Sequence, residues 1–279
     1  MVNHIKDVLK YGKDMLSKND ISTREARMLL ALAMNISSND LIKYTECTDG
    51  EYKIYQSYIE RRCSGEPYAY IVGKKEFMKL DFLVNKNVLI PREDTEILVL
   101  EAIKRCPTKV LDMCTGSGCI AISLAKYING AEVDAADISS PALTVAKKNA
   151  KLNDVSVKFI KSDLFENVND KYDMIVSNPP YIRKADLKEL QKEVKQEPKK
   201  ALDGGEDGLV FYDRILHDAK KHLKKNGVIL FEIGYDQAKD VTALAKKYNY
   251  KKVKKIKDLS NNDRVIIVEG WFKCHFRLN

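Results

Sequence analysis

From Lys109 onward the chain alternates short apolar runs with amphipathic stretches, and this alternation restricts the possible folds more than any other feature. Val110–Met113, Glu132–Asp137, Val155–Ile160, Met174–Ser177 and Gly227–Ile233 read as strands. Ile120, Ala121, Leu124, Ala125 and Ile128 share one helical face after the first of them. Ala142–Leu152 (capped by Ser140), Leu209 to Leu223 and Gln237–Lys247 read as further helices. Tyr250–Ile256 and Val265–Glu269 complete a set of seven strands as an antiparallel edge hairpin that turns at Asn261-Asn262. Such alternation requires right-handed crossovers and a mostly parallel sheet. Ligands of such sheets gather at the carboxyl ends of the strands, near the point where strand order reverses.

Four strand ends carry polar groups suited to that place. Asp112 lies in the first strand and the turn Cys114-Thr115-Gly116-Ser117-Gly118 follows it. Gly116 to Ala121 fits G-x-G-x-x-(G/A), a pattern that also fits a nicotinamide enzyme. Its glycines let a ligand press against backbone, and Asp137 at the next strand end can accept from two ribose hydroxyls. Asp112 could orient the loop or meet a ligand's ammonium. Ser162-Asp163-Leu164-Phe165 offers an acceptor for an adenine amino group and an apolar wall beside it.

The fourth strand stops in Asn178-Pro179-Pro180-Tyr181. Two prolines cannot donate to a sheet ladder and hold φ near about −65°. They also push the residue before each of them out of the helical region. The Asn178 amide and the Pro179 carbonyl are thereby fixed side by side, where two acceptors can take both hydrogens of one planar –NH2 group. Tyr181 supplies a flat face for stacking. The run looks like the (Asp/Asn)-Pro-Pro-(Tyr/Phe) signature of methyltransferases that modify planar nitrogens, either the glutamine amide or the exocyclic amine of adenine or cytosine. Taken together, the strand ends move the cofactor reading from a nicotinamide to S-adenosyl-L-methionine.

Residues 1–72 read as a bundle of four or five helices with no strand pattern. Ser22-Thr23-Arg24-Glu25 and Thr48-Asp49-Gly50-Glu51 are capping-box sequences. The bundle holds ten basic and ten acidic side chains and no chemistry-bearing cluster, which suits a substrate-docking module. Residues 73–90 read as a β-hairpin linker, pairing Glu76–Leu80 with Phe82–Leu89, and residues 91–279 as the catalytic domain. A proline turn at Ile90-Pro91 then leads into the helix Ile97–Lys104.

The net charge of +8 is concentrated in residues 220–257, where twelve lysines face Glu232, Asp236 and Asp240. Few aromatics interleave with them, so a solvated lysine face accounts for the run better than a nucleic-acid surface. No stretch reaches the length of a membrane span and no export signal opens the chain, so a cytoplasmic location is expected. The six cysteines are scattered without metal spacing, so reduced thiols and no metal are expected.

Over nearly its whole length the chain resembles the peptide chain release factor N5-glutamine methyltransferases (PrmC/HemK). The shared stretches are the helical start, Ile90–Glu96, Val110–Gly118, Val176–Ile182, Glu197–Leu209 and Phe231–Tyr235. The resemblance implies a class I S-adenosylmethionine-dependent methyltransferase domain with a Rossmann-like seven-stranded sheet. It implies a substrate as well, the glutamine of the Gly-Gly-Gln motif in class 1 release factors, with no metal, membrane or direct nucleic-acid partner. Cofactor contacts are implied at Asp112, Cys114, Thr115, Gly116, Ser117, Gly118, Asp137, Ile138, Asp163, Leu164 and Asn178. Catalysis falls to Asn178, Pro179, Pro180 and Tyr181, with Arg92 and Glu232 added as substrate-binding. Cys114 departs from the glycine of many members and is strained if that position needs φ > 0. The rivals are the same chemistry on a ribosomal-protein glutamine, adenine-N6 methylation of nucleic acid, and a binding module with a vestigial pocket.

Overall fold

The computed structural model describes residues 2–270, so residues 271–279, including Cys274, lie outside the described residues. The chain divides into two units. One holds the residues up to Gly73 together with Gln191–Gln196, and the other holds Lys74–Leu190 and the residues from Glu197 on.

In the first unit, α1 (Ile5–Ser17), α2 (Arg24–Ala33) and α3 (Asp49–Cys63) bury Val8, Leu16, Leu29, Leu30, Tyr55 and Ile59 in one core. Gly12 of α1 makes room for Tyr55, since a Cβ there would fall 1.7 Å from the tyrosine hydroxyl oxygen. A short helix, α4 (Tyr68–Val72), ends at Gly73 with φ of 77°. Two departures from expectation appear in this unit. β1 (Val2–His4) and β2 (Glu46–Thr48) form an antiparallel pair, too short to show a period of two in sequence. Thr48 and Glu51 form a true capping box, but Thr23 does not cap α2. Glu25 instead binds the buried Arg62 at 2.5 Å, and Arg62 also holds Glu193 of the distant 191–196 segment at 2.6 Å.

The second unit opens with β3 (Lys74–Phe77) and β4 (Leu80–Leu83), whose two-residue turn is Met78-Lys79. Both turn residues have positive φ, 50° and 57°, as a type I′ turn requires. The hairpin is therefore shorter than the sequence reading and displaced toward the N-terminus: β3 begins at Lys74, and Leu80 lies in the second strand rather than the first. No Asn or Gly marks this turn, so local sequence does not announce it.

The main sheet comprises β5 (Lys109–Met113), β6 (Glu132–Asp137), β7 (Lys158–Lys161), β8 (Tyr172–Ser177), β9 (Leu223–Glu232), β10 (Lys252–Lys257) and β11 (Asp263–Glu269). Their order is β10-β11-β9-β8-β5-β6-β7, with β5 to β9 parallel and β11 antiparallel to both its neighbours. The order reverses at β5, which lies between β6 and β8. Successive residues of one strand point to opposite faces. Leu111, Met113, Ile266 and Val268 accordingly join α8 (Val210–His222) and α9 (Ala238–Lys247) in one core. Val110, Val265 and Ile267 join α5 (Asp94–Ile103) and α6 (Cys119–Tyr127) in the other. Burial on both faces explains why these strands read as continuous apolar runs. α7 (Ser140–Leu152) is capped by Ser139, whose side chain accepts from the Ala142 amide, rather than by Ser140.

Candidate active site

The loop between β5 and α6 is held from below by Asp112. This side chain is buried, and its Oδ2 accepts from Thr115 Oγ1 at 2.5 Å and from the Ala121 amide at 3.1 Å. Of the two roles left open by the sequence, the loop-orienting one is thus realised in its hydrogen bonds. Burial pushes the Asp112 carboxyl up to about 7, against the pull of those two hydrogen bonds. Its second oxygen has no protein partner.

Cys114, Gly116 and Gly118 all adopt positive φ, at 65°, 56° and 81°. The strain expected at Cys114 is therefore present, on the order of 1 kcal/mol. Burial raises its thiol well above the usual range, which leaves it chemically quiet. The two glycines serve different needs. A Cβ on Gly118 would lie 2.9 Å from Ile122 Cδ1 and 3.1 Å from Ala146 Cβ, so this position lets α6 and α7 approach. A Cβ on Gly116 would meet nothing within 4 Å. Open space above Gly116 is what a backbone cradle for a ligand needs.

Asp137 closes the cradle, with Oδ2 accepting from the Gly116 amide and Oδ1 from the Ser139 amide, both at 2.8 Å. The Ile138 backbone also approaches this carboxylate, whose roughly four lone-pair sites still leave acceptor capacity for a ligand hydroxyl. Beside it, Ile138 is 52% exposed and offers an apolar face. Asp163 forms an ion pair with Arg214 at 2.9 Å. Leu164 and Phe165 are buried, and Phe165 stacks on His222 at 4.5 Å between ring centroids, so the apolar surface open to a ligand there comes from Ile138.

At the carboxyl end of β8, Asn178 donates its side-chain NH2 to Thr95 Oγ1 at 3.3 Å, and Thr95 in turn donates to Glu232 Oε2 at 2.5 Å. Glu232 is only 2% exposed, and the Tyr181 side chain lies near it. It stands behind the Asn178 loop rather than on a substrate-facing surface. The Tyr181 carbonyl is gripped by Gln237 Nε2 at 3.0 Å, while Gln237 Oε1 accepts from the Gly234 amide at 2.9 Å. The chain after Tyr181 runs beside the segment around Asp203, with the Ile182 amide on the Leu202 carbonyl and the Gly204 amide on the Ile182 carbonyl, both at 2.9 Å. Arg92 donates to the Ile90 carbonyl at 3.0 Å and pairs with the buried carboxylate of Glu197.

Comparison with known proteins agrees with this arrangement. Residues 93–211 match the Methyltransferase small domain family and residues 7–73 the PrmC N-terminal domain family. The "Release factor glutamine methyltransferase" of Clostridium acetobutylicum is 40% identical, covering 94% of this chain and 97% of that protein. The protein of the same description from Thermodesulfovibrio yellowstonii is 36% identical, covering 92% and 96%. The chain belongs to the release factor glutamine methyltransferase family. Among solved structures, a methyltransferase from Pyrococcus furiosus shares the fold with a TM-score of 0.55 at 21% identity, covering 77% of this chain and 96% of that one.

A methyltransferase of this family and fold takes its methyl group from S-adenosyl-L-methionine, and the β5–α6 loop fits that donor. The open face of Gly116, the remaining acceptor capacity of Asp137 and the exposed Ile138 supply backbone, acceptor and apolar contacts. Among the described residues no cluster of His, Cys, Asp or Glu could hold a metal ion, and no helix is long and apolar enough to cross a membrane.

Gly116→Ala is expected to leave the fold nearly intact, at about 1 kcal/mol from the positive φ. It should weaken donor binding at least about tenfold, because the new methyl group occupies the cradle. Isothermal titration with the donor checks this, and unchanged affinity would remove Gly116 from the site.

Thr95 and Gln237 are the two residues in this family member that the sequence reading passed over. Thr95 lay within the recognised Ile90–Glu96 stretch but carried no assigned role. Gln237 had no local signal, since its partners are the backbone of residues 181, 208 and 234.

Proposed function

We propose that the chain transfers a methyl group from S-adenosyl-L-methionine to the side-chain amide nitrogen of the glutamine in the Gly-Gly-Gln loop of class 1 peptide chain release factors. Membership of the release factor glutamine methyltransferase family carries the reading. The strand-end geometry supports a role for each residue. Thr115, Gly116, Ser117, Asp137 and Ile138 would hold the donor, with Asp112 bracing the loop beneath them. When bound, the donor supplies a methyl group already activated by its sulfonium.

An amide nitrogen is a poor nucleophile because its lone pair is delocalised into the carbonyl. Asn178 Oδ1 and the Pro179 carbonyl would each accept one N–H of the substrate carboxamide, raising electron density on nitrogen and aiming it. Pro180 stiffens the loop and Tyr181 offers the stacking face. The nitrogen would form its bond to the methyl carbon as that carbon leaves sulfur, and the nitrogen, made acidic by methylation, would then give its proton to solvent. No strong base is required. Orientation of this kind supplies several kcal/mol.

The helical unit serves as the docking module for the release factor; its balance of ten acidic and ten basic side chains over residues 1–72 favours a protein over a nucleic acid. The reaction is placed in the cytoplasm, where reduced thiols suit the five free cysteines described. Arg92 acts from its pair with Glu197, shaping the rim of the substrate site.

The test uses a radiolabelled methyl donor with a release factor, its Gln-to-Ala loop variant, a ribosomal protein, tRNA and DNA. Label is expected in the unaltered release factor alone. Label in any other partner, or in the Gln-to-Ala variant, would overturn the assignment.

A further inference from the structure

The hydroxyl of Thr95 has one proton and two lone pairs, and it sits between two groups that want different things from it. Toward Glu232 the distance is 2.5 Å, and toward the Asn178 side-chain nitrogen it is 3.3 Å. An ionised carboxylate can only accept. The single Thr95 proton is therefore committed to Glu232, which leaves only lone pairs facing Asn178. A lone pair can receive the amide NH2 but not the amide oxygen.

We propose that Glu232 and Thr95 are positioning residues that set the direction of the Asn178 amide, turning its nitrogen inward and its oxygen toward the incoming carboxamide. The inference rests on the function proposed above, in which that oxygen accepts a substrate N–H.

Protonation of Glu232 would reverse the chain. A carboxylic acid donates to Thr95, the Thr95 proton then turns to Asn178, and the amide flips so that its NH2 faces the substrate. Two donors would then meet across the site and the carboxamide would not be held. The groups facing Glu232 come from every element around it. Thr95 and Asp94 lie on α5, Tyr181 in the loop after β8, Arg264 on β11 and Cys119 on α6. On α8, Tyr212 donates to the Glu232 backbone carbonyl at 2.9 Å. Arg264 favours the charged form but is itself bound to Asp94 at 3.1 Å and Asp258 at 3.0 Å. Burial is the larger influence and raises the Glu232 carboxyl to about 7. The ionised, correctly oriented state is therefore lost as pH falls through neutrality.

At saturating donor and release factor, the wild-type kcat is expected to fall about tenfold between about pH 8 and about pH 6. Asp112 titrates in the same range, but it braces the donor loop, so its effect appears in donor affinity and not in kcat under saturation. Thr95→Val should lower kcat about 10- to 30-fold at about pH 8 and abolish the acid limb, while Thr95→Ser, which keeps the hydroxyl, recovers most of the loss. Glu232→Gln, which can donate as well as accept, should give a flat and lowered profile.

The second readout needs neither donor nor substrate. In 15N–1H spectra of the unliganded protein, the Asn178 side-chain signals should shift with a midpoint near 7, and Thr95→Val or Glu232→Gln should remove that shift. Asn178 signals that ignore pH, or a Thr95→Val enzyme with wild-type kcat and pH profile, would overturn the relay. A wild-type protein that leaves release factor unlabelled would sink the proposed function instead, while the spectra still decide whether the relay exists.

Discussion

Replacing Asn178 with alanine lowers methyl transfer to release factor at least ~100-fold, about 2.7 kcal/mol of transition-state stabilisation. On the proposed mechanism the substitution would delete one of two acceptors for the substrate nitrogen, while the Pro179 carbonyl would remain. An acceptor that strengthens as positive charge grows on the nitrogen acts mainly on the transition state, so kcat falls with kcat/KM. Donor affinity should change little, because the cradle around Gly116 and Asp137 is built on β5, β6 and α6 and keeps its own hydrogen bonds. Stability should also change little, since the deleted amide makes one long hydrogen bond to Thr95. Single-turnover methylation with donor titration separates these quantities. A variant as fast as wild type would refute the role.

Gly208→Ala is expected to lower activity by a similar factor through position alone. Gly208 has φ of 75°, and a Cβ there would lie 2.4 Å from the Tyr181 carbonyl oxygen and 2.7 Å from Gln237 Nε2. The methyl group collides with the grip that Gln237 holds on both Tyr181 and Gly208. The Tyr181 backbone has little room to yield, because Gly204 also packs closely against it: a Cβ on Gly204 would lie 2.7 Å from Tyr181 Cα. Strain and overpacking together amount to about 2–4 kcal/mol of stability. A displacement of about 1 Å at Tyr181 is enough for a ~100-fold loss of transfer. Gly130→Ala is the control, at φ of 76° but with nothing within 4 Å. If both variants unfold at the same temperature and methylate equally well, the packed contact at Tyr181 is not what holds the site.

The alternating pattern from Lys109 was readable because the central strands are buried on both faces and stand between helices of clear period. Glu132–Asp137 appears in the structure with the bounds its sequence implied. Val155–Ile160 did not, since the strand runs Lys158–Lys161, with Val155 and Val157 packing partly buried ahead of it. Apolar content marks burial, and only hydrogen bonding to β6 marks where the strand begins. Tyr68–Val72 falls within the stretch read as a helical bundle and is a short helix. The three-residue strands β1 and β2 were invisible for want of length.

The candidate site divides along the same line. Local sequence determined the cradle and the proline-locked loop, because positive φ, chain stiffness and a strand-end carboxylate are properties of neighbouring residues. Tertiary structure alone decided what fixes them in place. Thr95 meets Glu232 across 137 positions, Ile90 meets Glu197 across 107, and Arg62 meets Glu193 across 131. No local period or cap encodes such pairs: the first two exist only once the parallel sheet has brought distant strand ends to one edge, and the third only once the 191–196 segment has joined the helical unit. The sequence therefore specifies by itself the local geometry of the β5–α6 loop and of the Asn178–Tyr181 loop, and folding specifies the partners that orient their side chains.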